Sequence, residues 1–416
     1  MSAKSRDVDV AVVGAGAAGI ACGRALARAG GSVQILEAAE RLGGRADTAT
    51  HALGVPFDRG AAWLHCASRN PLRAHADALG LRYAGDPAMR YHVDGRWLDP
   101  SEAKAVDSDW RAANTALREA GERGVDIAAA EVLDPNARHA AVRDYLLTAI
   151  RAVPPSHYAT AEAAAEVDTH EDWVMLDGLG ALVARLGAGL PVATATPVRR
   201  IAHEASGVRV HTDAGALRAG AAVVTVSAGV LAAGDIAFDP PLSDAKRAAL
   251  QAVPMGRAEK IVLHFTGDPF GAGPNTYVTI ERGGEAMGFH LLPAGEGWLA
   301  IGYAGGAQAE AVAGASGLEW AIGYLEHAFG TDVRRRLLAN THTDWTRDPL
   351  TRGAYSAARP GGNAGRASLA AAHGERVLFA GEATQADAFA SVHGAWASGE
   401  RAAEAALAAL GHRRAP

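Results

Sequence analysis

The chain has 416 residues, 49% hydrophobic and 21% charged, with 46 acidic against 40 basic residues and a net charge of −6. That composition describes a globular, enzyme-sized protein with room for two domains and excludes a disordered or fibrous one. So even a charge balance leaves no basic stripe for nucleic acid and no patch for an anionic membrane surface. Only four of the basic residues are lysines, Lys4, Lys104, Lys246 and Lys260, and any lysine chemistry must come from these. Cys22 and Cys66 are too few for a disulfide framework or a structural zinc site; no metal is expected, and a reducing compartment fits. The longest uncharged runs, 10–23 and 219–234, are shorter than the roughly 18–20 apolar residues of a spanning helix. Acidic Asp7 and Asp9 stand where a signal peptide would be basic, and the tail ends in polar GHRRAP. The expectation is a cytoplasmic chain with no membrane segment and an open oligomeric state.

Residues 8–13 (VDVAVV) read as a strand, GAGAAG as a tight turn, and the pattern through Ala29 as a helix; SVQILEA (32–38) is a second strand. This βαβ unit should open a parallel sheet. From about 86 to 190 the chain becomes alanine-rich, with helices expected at 101–122, 135–152 and 157–166 and no strand of comparable strength. Strands return at 195–245 as a β-meander. The stretch 258–340 alternates strands such as AEKIVLHF, NTYVTIE and GWLAIGY with a helix at 316–329. RVLFA (376–380) is a last buried strand feeding a helix at 393–410, so the first and last segments are expected in one sheet.

Gly14, Gly16 and Gly19, with Ala18 between the last two, follow the first strand and open the helix, and Glu37 ends the next strand. Gly14 allows the tight turn, Gly16 lets backbone amides approach a pyrophosphate, and Gly19 lets the helix pack on the strand. The helix N-terminus then faces the phosphates. Glu37 would accept hydrogen bonds from ribose hydroxyls and repel a 2′-phosphate, favouring FAD or NAD over NADP. GYAGGAQ (302–308) lacks the spacing of a second such motif.

Gly43 and Gly44 followed by Arg45 place a forked guanidinium near the pyrophosphate. At EAAERLGGR the sequence resembles the flavin amine oxidases, which include monoamine oxidases, polyamine oxidases and histone lysine demethylases. The likeness recurs in DRGAAWLH (58–65), TPVRRI (196–201), AVVTVSAGVL with DIAFDPPL (222–242), MGRAEKIVLHF (255–265), WTRDP with GAYS (345–356) and LFAGEAT with SVHGAWASGERAA (378–403). It implies an α/β architecture of two domains. One is a Rossmann-like FAD domain, discontinuous over 1–85, 190–245 and 345–416; the other is a mixed α+β substrate domain from 86–189 and 246–344. It also implies non-covalent FAD, because Ala354 stands where animal monoamine oxidases carry the flavin-bonding cysteine. The implied reaction moves a hydride from the carbon of a neutral amine to the flavin, water hydrolyses the imine, and O₂ becomes H₂O₂.

Carried over residue by residue, the resemblance gives Glu37 to the adenosine ribose, Gly44 and Arg45 to the pyrophosphate side, Val198 to the adenine through its backbone, and Glu382 to the ribityl or phosphate side. Ala61, Ala62 and Trp63 would line the flavin ring, with Trp345, Ser391 and Val392 also on the cofactor. Lys260 resembles the lysine that holds a water at flavin N5, and a lysine can lose charge on burial where an arginine cannot. Tyr355 matches the aromatic wall of the amine cage. Ser391 stands where monoamine oxidases have the second wall, a small residue as in mammalian-type polyamine oxidases. His65 resembles a polyamine-oxidase histidine near the substrate nitrogen, although Cys66 replaces the glycine that follows it.

The substrate class expected is a polyamine. A monoamine or L-amino acid oxidase is the first alternative, the latter needing an arginine for the carboxylate. A desaturase or a non-catalytic flavoprotein is an alternative of another kind. The acidic stretch Glu162, Glu166, Asp168, Glu171 and Asp172 either lines a tunnel for a cation or is a solvated face.

Overall fold

Residues 7–49 and 51–411 of a computed structural model are described below; Lys4 and all but the first residue of the polar tail GHRRAP lie outside them. Strand Val8–Val13 is flanked by Val33–Leu36 on one side and Gly215–Val224 on the other, both parallel to it. Val192–Ala193 extends the first side and Val377–Phe379 the second, again in parallel. Taken in chain order this is the 3-2-1-4-5 arrangement of a dinucleotide-binding sheet, whose ligand crevice opens where Val8–Val13 and Gly215–Val224 end. The first and last segments therefore share a sheet, as expected. The N-terminal half of Gly215–Val224 turns instead to Gly207–Thr212, which pairs with Val198–Glu204 and so builds the meander.

The glycines of the first turn answer to contacts. Gly14 has φ +104°, and a Cβ on Gly19 would lie 1.9 Å from the Gly14 carbonyl oxygen. Helix Ala17–Arg28 packs against the last helix, Val392–Ala409, so closely that a Cβ on Gly399 would lie 2.0 Å from the Ala18 carbonyl oxygen.

A second sheet has seven strands in the order Leu337–His342, Ala258–Thr266, Gly297–Gly305, Glu285–Ala294, Thr276–Arg282, Ala88–Val93 and Arg96–Trp97. One face buries Ile261, Leu263, Phe265, Phe289 and Ile280 against helical residues Val106, Val142 and Leu325. Because strand side chains alternate, the other face carries Lys260, Tyr303, His290 and Tyr277. Every strand of this sheet comes from 88–97 or 258–342, and every strand of the first from 8–36, 192–239 or 377–379.

The three expected helices of the alanine-rich region form at Pro100–Glu122, Ala140–Arg151 and Thr160–Ala165. One expectation there fails: the region contributes strands Ala88–Val93 and Arg96–Trp97 to the second sheet. AMRYHV alternates poorly, and its parallel partner Thr276–Arg282 is far along the chain, so only tertiary pairing makes it a strand. Helices also form at Gly317–Phe329 and Val392–Ala409, near 316–329 and 393–410 as read from sequence.

Since overpacking a close contact costs about 1–3 kcal/mol, Gly399→Ala is expected to lower the unfolding free energy by that amount. Urea titration followed by tryptophan fluorescence measures it, and an unchanged midpoint would mean that the two helices separate freely.

Candidate active site

The crevice at the strand ends has the shape a dinucleotide needs. Thr225 Oγ1 bonds the carbonyls of Val13 and Gly14 at 2.9 and 3.2 Å, tying the two strand ends together. Gly16 precedes helix Ala17–Arg28 with no side-chain cap, and a Cβ placed on it would meet only the Gly43 carbonyl, at 3.8 Å. The first amides of that helix thus face open room. Glu37 is buried and takes the amides of Ala15 at 2.6 Å and Ala39 at 2.8 Å, one on each carboxylate oxygen. Each oxygen keeps a lone pair for a ribose hydroxyl. Beyond Arg45 a small cleft opens between Val226–Ala228 and Gly381–Thr384. These residues fit FAD.

Behind the cleft lies a chain of buried charges. Arg45 Nη1 donates to Glu382 at 2.9 Å and to the Ala354 carbonyl at 2.7 Å. Glu382 also accepts from the Ser356 hydroxyl at 2.6 Å, the Ser356 amide at 3.2 Å and the Ala390 amide at 3.1 Å. Arg366 donates to Ser356 Oγ at 2.9 Å and, through Nε, to Glu162 at 2.7 Å, with its guanidinium over the Phe389 ring. Burial opposes the charge on Glu382, yet Arg45, Ser356 and Arg366 together hold its pKa below the usual glutamate value. Ser356 and Arg366 were not singled out from sequence; GAYS carried the first, and nothing local marks the second.

Lys260 is 7% exposed on strand Ala258–Thr266. Its Nζ donates to the carbonyls of Asp58 at 2.9 Å and Gly60 at 2.6 Å, and burial lowers its pKa to about 8. The Asp58 carboxylate, which sequence reasoning passed over, caps helix Leu179–Gly187 through the amides of Leu179 and Gly180. Gly60 is required here, since a Cβ on it would lie 1.7 Å from the Arg45 carbonyl oxygen. Lys246 is buried as well, bonded to the carbonyls of Ser368, Leu369 and Ala371 and set over the Phe379 ring. Its three protons are all taken, whereas Lys260 keeps one position open among the described residues.

Tyr355 donates to the Ala149 carbonyl at 2.7 Å, at the end of helix Ala140–Arg151, which fixes its ring. Trp63 stacks on His290 at 4.9 Å and donates from Nε1 to the Tyr303 hydroxyl at 3.2 Å. The Ala61 amide donates to the Arg45 carbonyl, and the Ala62 carbonyl accepts from the Met175 amide. Trp345 is buried, its amide on Glu259 and its indole on the Arg59 carbonyl. Val198 packs with Val13 and Leu36 at a bulge of its strand. Val392 opens the last helix, so its amide has no partner within that helix. Ser391 spends its hydroxyl as the cap of that helix, accepting from Gly394 at 3.0 Å and donating to Ala388 at 2.7 Å.

His65 Nδ1 lies 2.6 Å from Asp172. Burial works against its charge, but Asp172, with Glu166 and Asp168 nearby, raises its pKa above the ordinary histidine value. His393 differs: burial takes it down to about 4. Cys66 sits at φ +51°, a conformation that favours glycine, and its thiol bonds the Val167 carbonyl at 3.3 Å. Of the acidic stretch, Glu162 is fully buried on Arg366, Glu166 is paired with Arg151 at 2.6 Å, Glu171 bonds Ser68, and Asp172 holds His65. Neither a tunnel lining nor a solvated face describes Glu162. No group of three or more metal-ligating side chains converges among the described residues, and no helix among them is long and apolar enough to cross a membrane.

Residues 128–407 match the family described as flavin containing amine oxidoreductase, and 12–79 match an NAD(P)-binding Rossmann-like domain. Polyamine oxidase 4 of Oryza sativa subsp. japonica is 27% identical over 435 residues, 95% of this chain and 88% of that one. The lysine-specific histone demethylase 1 homolog 2 of the same plant is 30% identical over 436 residues, covering 96% of this chain but only 57% of the demethylase. A solved putrescine oxidase bound to putrescine superposes with TM-score 0.82 at 21% identity, covering 96% of this chain and 99% of that one.

Breaking a buried charge pair by removing one partner costs about 3–5 kcal/mol, so Glu382→Gln is expected to destabilise the protein by that order at neutral pH. With a folded pKa below 4.5, the stability Glu382 contributes is present above that value and lost as pH falls through the folded pKa. The gap between wild type and variant in urea should be full at neutral pH and narrow as pH falls below 4.5. A constant gap would count against the charge as its source.

Proposed function

This chain belongs to the flavin containing amine oxidoreductase family, and from that premise we propose that this FAD-dependent amine oxidase takes polyamines as substrates and O₂ as final acceptor. The observation that carries the reading is Lys260, a buried amine held by two carbonyls with one position left for a water, on the aromatic face of the second sheet.

Glu37, Arg45, Gly44, Val198, Ala61, Ala62, Trp63, Trp345, Glu382, Ser391 and Val392, with the turn of Gly14, Gly16, Ala18 and Gly19, would hold FAD, which when bound supplies a two-electron acceptor. The protein's own part is to bind the amine, deprotonate it and exclude bulk water. With Nδ1–H given to Asp172, His65 presents Nε2 as an acceptor, and its raised pKa suits it to take the proton of an incoming ammonium. His393 stays neutral beside it. Tyr355, anchored at its hydroxyl, offers a π-face to the nitrogen. Two electrons and a hydrogen leave the carbon next to the neutral nitrogen. A water taken up at the open position of Lys260 would add to the imine, giving an aldehyde and a shorter amine, and the electrons would end on O₂ as H₂O₂.

Two features favour a polyamine over an amino acid. Glu166, Asp168, Asp172 and Asp387 all lie within electrostatic reach of His65 or His393, an acidic surround for a substrate with further cationic nitrogens. Arg151, the arginine that acts on both Tyr355 and Asp172, is bound to Glu166 through both of its terminal nitrogens, which leaves it no fork for a carboxylate.

Spermine, spermidine, acetylated polyamines, simple monoamines and L-amino acids, added in turn to the anaerobic protein, test the reading. Polyamines should bleach the oxidised flavin and L-amino acids should not; bleaching by none of the amines overturns it. Lys260→Met should slow flavin reduction or reoxidation by roughly 10²-fold, in the range of a lost proton-handling group, with the FAD spectrum retained. Unchanged kinetics would remove the lysine from the mechanism.

A further inference from the structure

Trp63, Tyr277 and Tyr303 are half-buried and in ring contact beside Lys260, whose Nζ lies 5.1 Å over the Tyr303 ring, and the half-buried Tyr355 lies within electrostatic reach of Tyr277 and Tyr303. The hydroxyl protons of this group and of the neighbouring Tyr145 can be assigned one by one. Tyr355 gives its proton to the Ala149 carbonyl. Tyr145 Oη is 2.9 Å from the Tyr303 carbonyl, which can only accept, so Tyr145 donates there. The Tyr277 hydroxyl, 3.0 Å from that of Tyr145, must therefore donate to it. Tyr303 is different. Its one hydroxyl partner is Trp63 Nε1, and an indole N–H only donates, so the Tyr303 oxygen accepts. The Tyr303 proton has no acceptor among the described residues.

The surroundings hold the Tyr303 ring and its oxygen in place. Asn275 donates Nδ2 to the Gly85 carbonyl at 2.9 Å, which turns its Oδ1 toward His290 Nε2 at 2.8 Å and makes that nitrogen the donor. His290, fully buried and neutral because burial lowers its pKa to about 3, backs Trp63 in a stack of 22°. Gly288 stands opposite Tyr303 in the sheet, and a Cβ on it would lie 2.5 Å from the Tyr277 hydroxyl and 2.7 Å from that of Tyr145. With Trp63 on its oxygen and Tyr145 on its carbonyl, Tyr303 has little freedom to turn elsewhere.

We infer that Tyr303 binds substrate, its unspent O–H donating to the lone pair of the neutral amine that reacts. This rests on the amine oxidase reading of the site. An ammonium has no lone pair to receive the bond, so the donor recognises the reactive protonation state alone. As the C=N bond forms the nitrogen gives up that lone pair, so the contact belongs to the bound ground state and weakens toward the transition state. Its loss should raise KM and leave kcat unchanged or higher, a pattern that a merely structural tyrosine would not produce.

Tyr303→Phe keeps the ring and removes the proton. It is to be prepared with FAD bound and mixed anaerobically with the amine that bleaches the wild type. The expected result is an apparent Kd for the amine weakened by roughly 3–10-fold, the size of one hydrogen bond, with the limiting rate of bleaching equal to or above that of the wild type. An unchanged Kd overturns the inference, as does a limiting rate that falls in step with the affinity. Tyr303→Leu, which also removes the ring, should weaken binding further; a Leu variant that keeps FAD and matches wild-type affinity overturns it equally. Failure of the wild type itself to bleach with any amine would instead strike the amine reading, and this inference with it.

Discussion

The charges that run from Arg45 through Glu382, Ser356 and Arg366 to Glu162 set the terms for the rest of the molecule. Taking such groups out of water costs several kcal/mol for each ion, recovered only when every donor and acceptor is matched. The matching draws on five stretches of the chain: the Gly43-Gly44-Arg45 turn, the helical insert, the GAYS loop, helix Gly365–Ala370 and the 3₁₀ turn Glu382–Thr384 after the last strand of the first sheet. None can shift far without leaving a buried charge unpaired. The cofactor crevice and the wall that carries Tyr355 are therefore one mechanical unit, although they come from opposite ends of the sequence.

Within that frame, environment and not residue type divides the labour. Lys246 and Lys260 are both buried, and burial takes both to about pKa 8. Lys246 meets three carbonyls at the end of a short helix and is spent on structure; Lys260 meets two and keeps a position for water. The histidines divide in the same way. Asp172 raises His65, while His393, without such a partner, is driven down by burial. Two groups of one chemical kind with pKa values pushed in opposite directions can take different parts in proton handling at one pH. The acidic stretch before Trp173 is split between the buried network, through Glu162, and the histidine, through Asp172.

Ser391 shows why an aromatic cage cannot be judged from one position. Its small side chain does not leave a gap by omission, because the hydroxyl caps helix Val392–Ala409 and orients the amide end of that helix. The second sheet carries aromatic surface of its own, where Tyr303 and Tyr277 project from the strands on either side of Glu285–Ala294 and Trp63 is clamped between His290 and Tyr303.

Much was legible in the order of the residues alone. The glycine turn with Glu37, the Gly43-Gly44-Arg45 turn, the isolated Lys260 and the GAYS and GEAT segments are local signals, because each depends on backbone conformation or on side-chain type within a few residues. They were enough to indicate the two-domain α/β architecture, FAD and amine chemistry. What depended on long-range contact was not legible. Strand Ala88–Val93 exists only through its partner Thr276–Arg282, Arg366 matters only because Glu162 reaches it, and the free proton of Tyr303 appears only once every neighbouring hydroxyl has a partner. A sequence states which donors and acceptors a chain possesses; which of them are already spent is decided by the fold, because hydrogen bonds join residues that are near in space and distant along the chain.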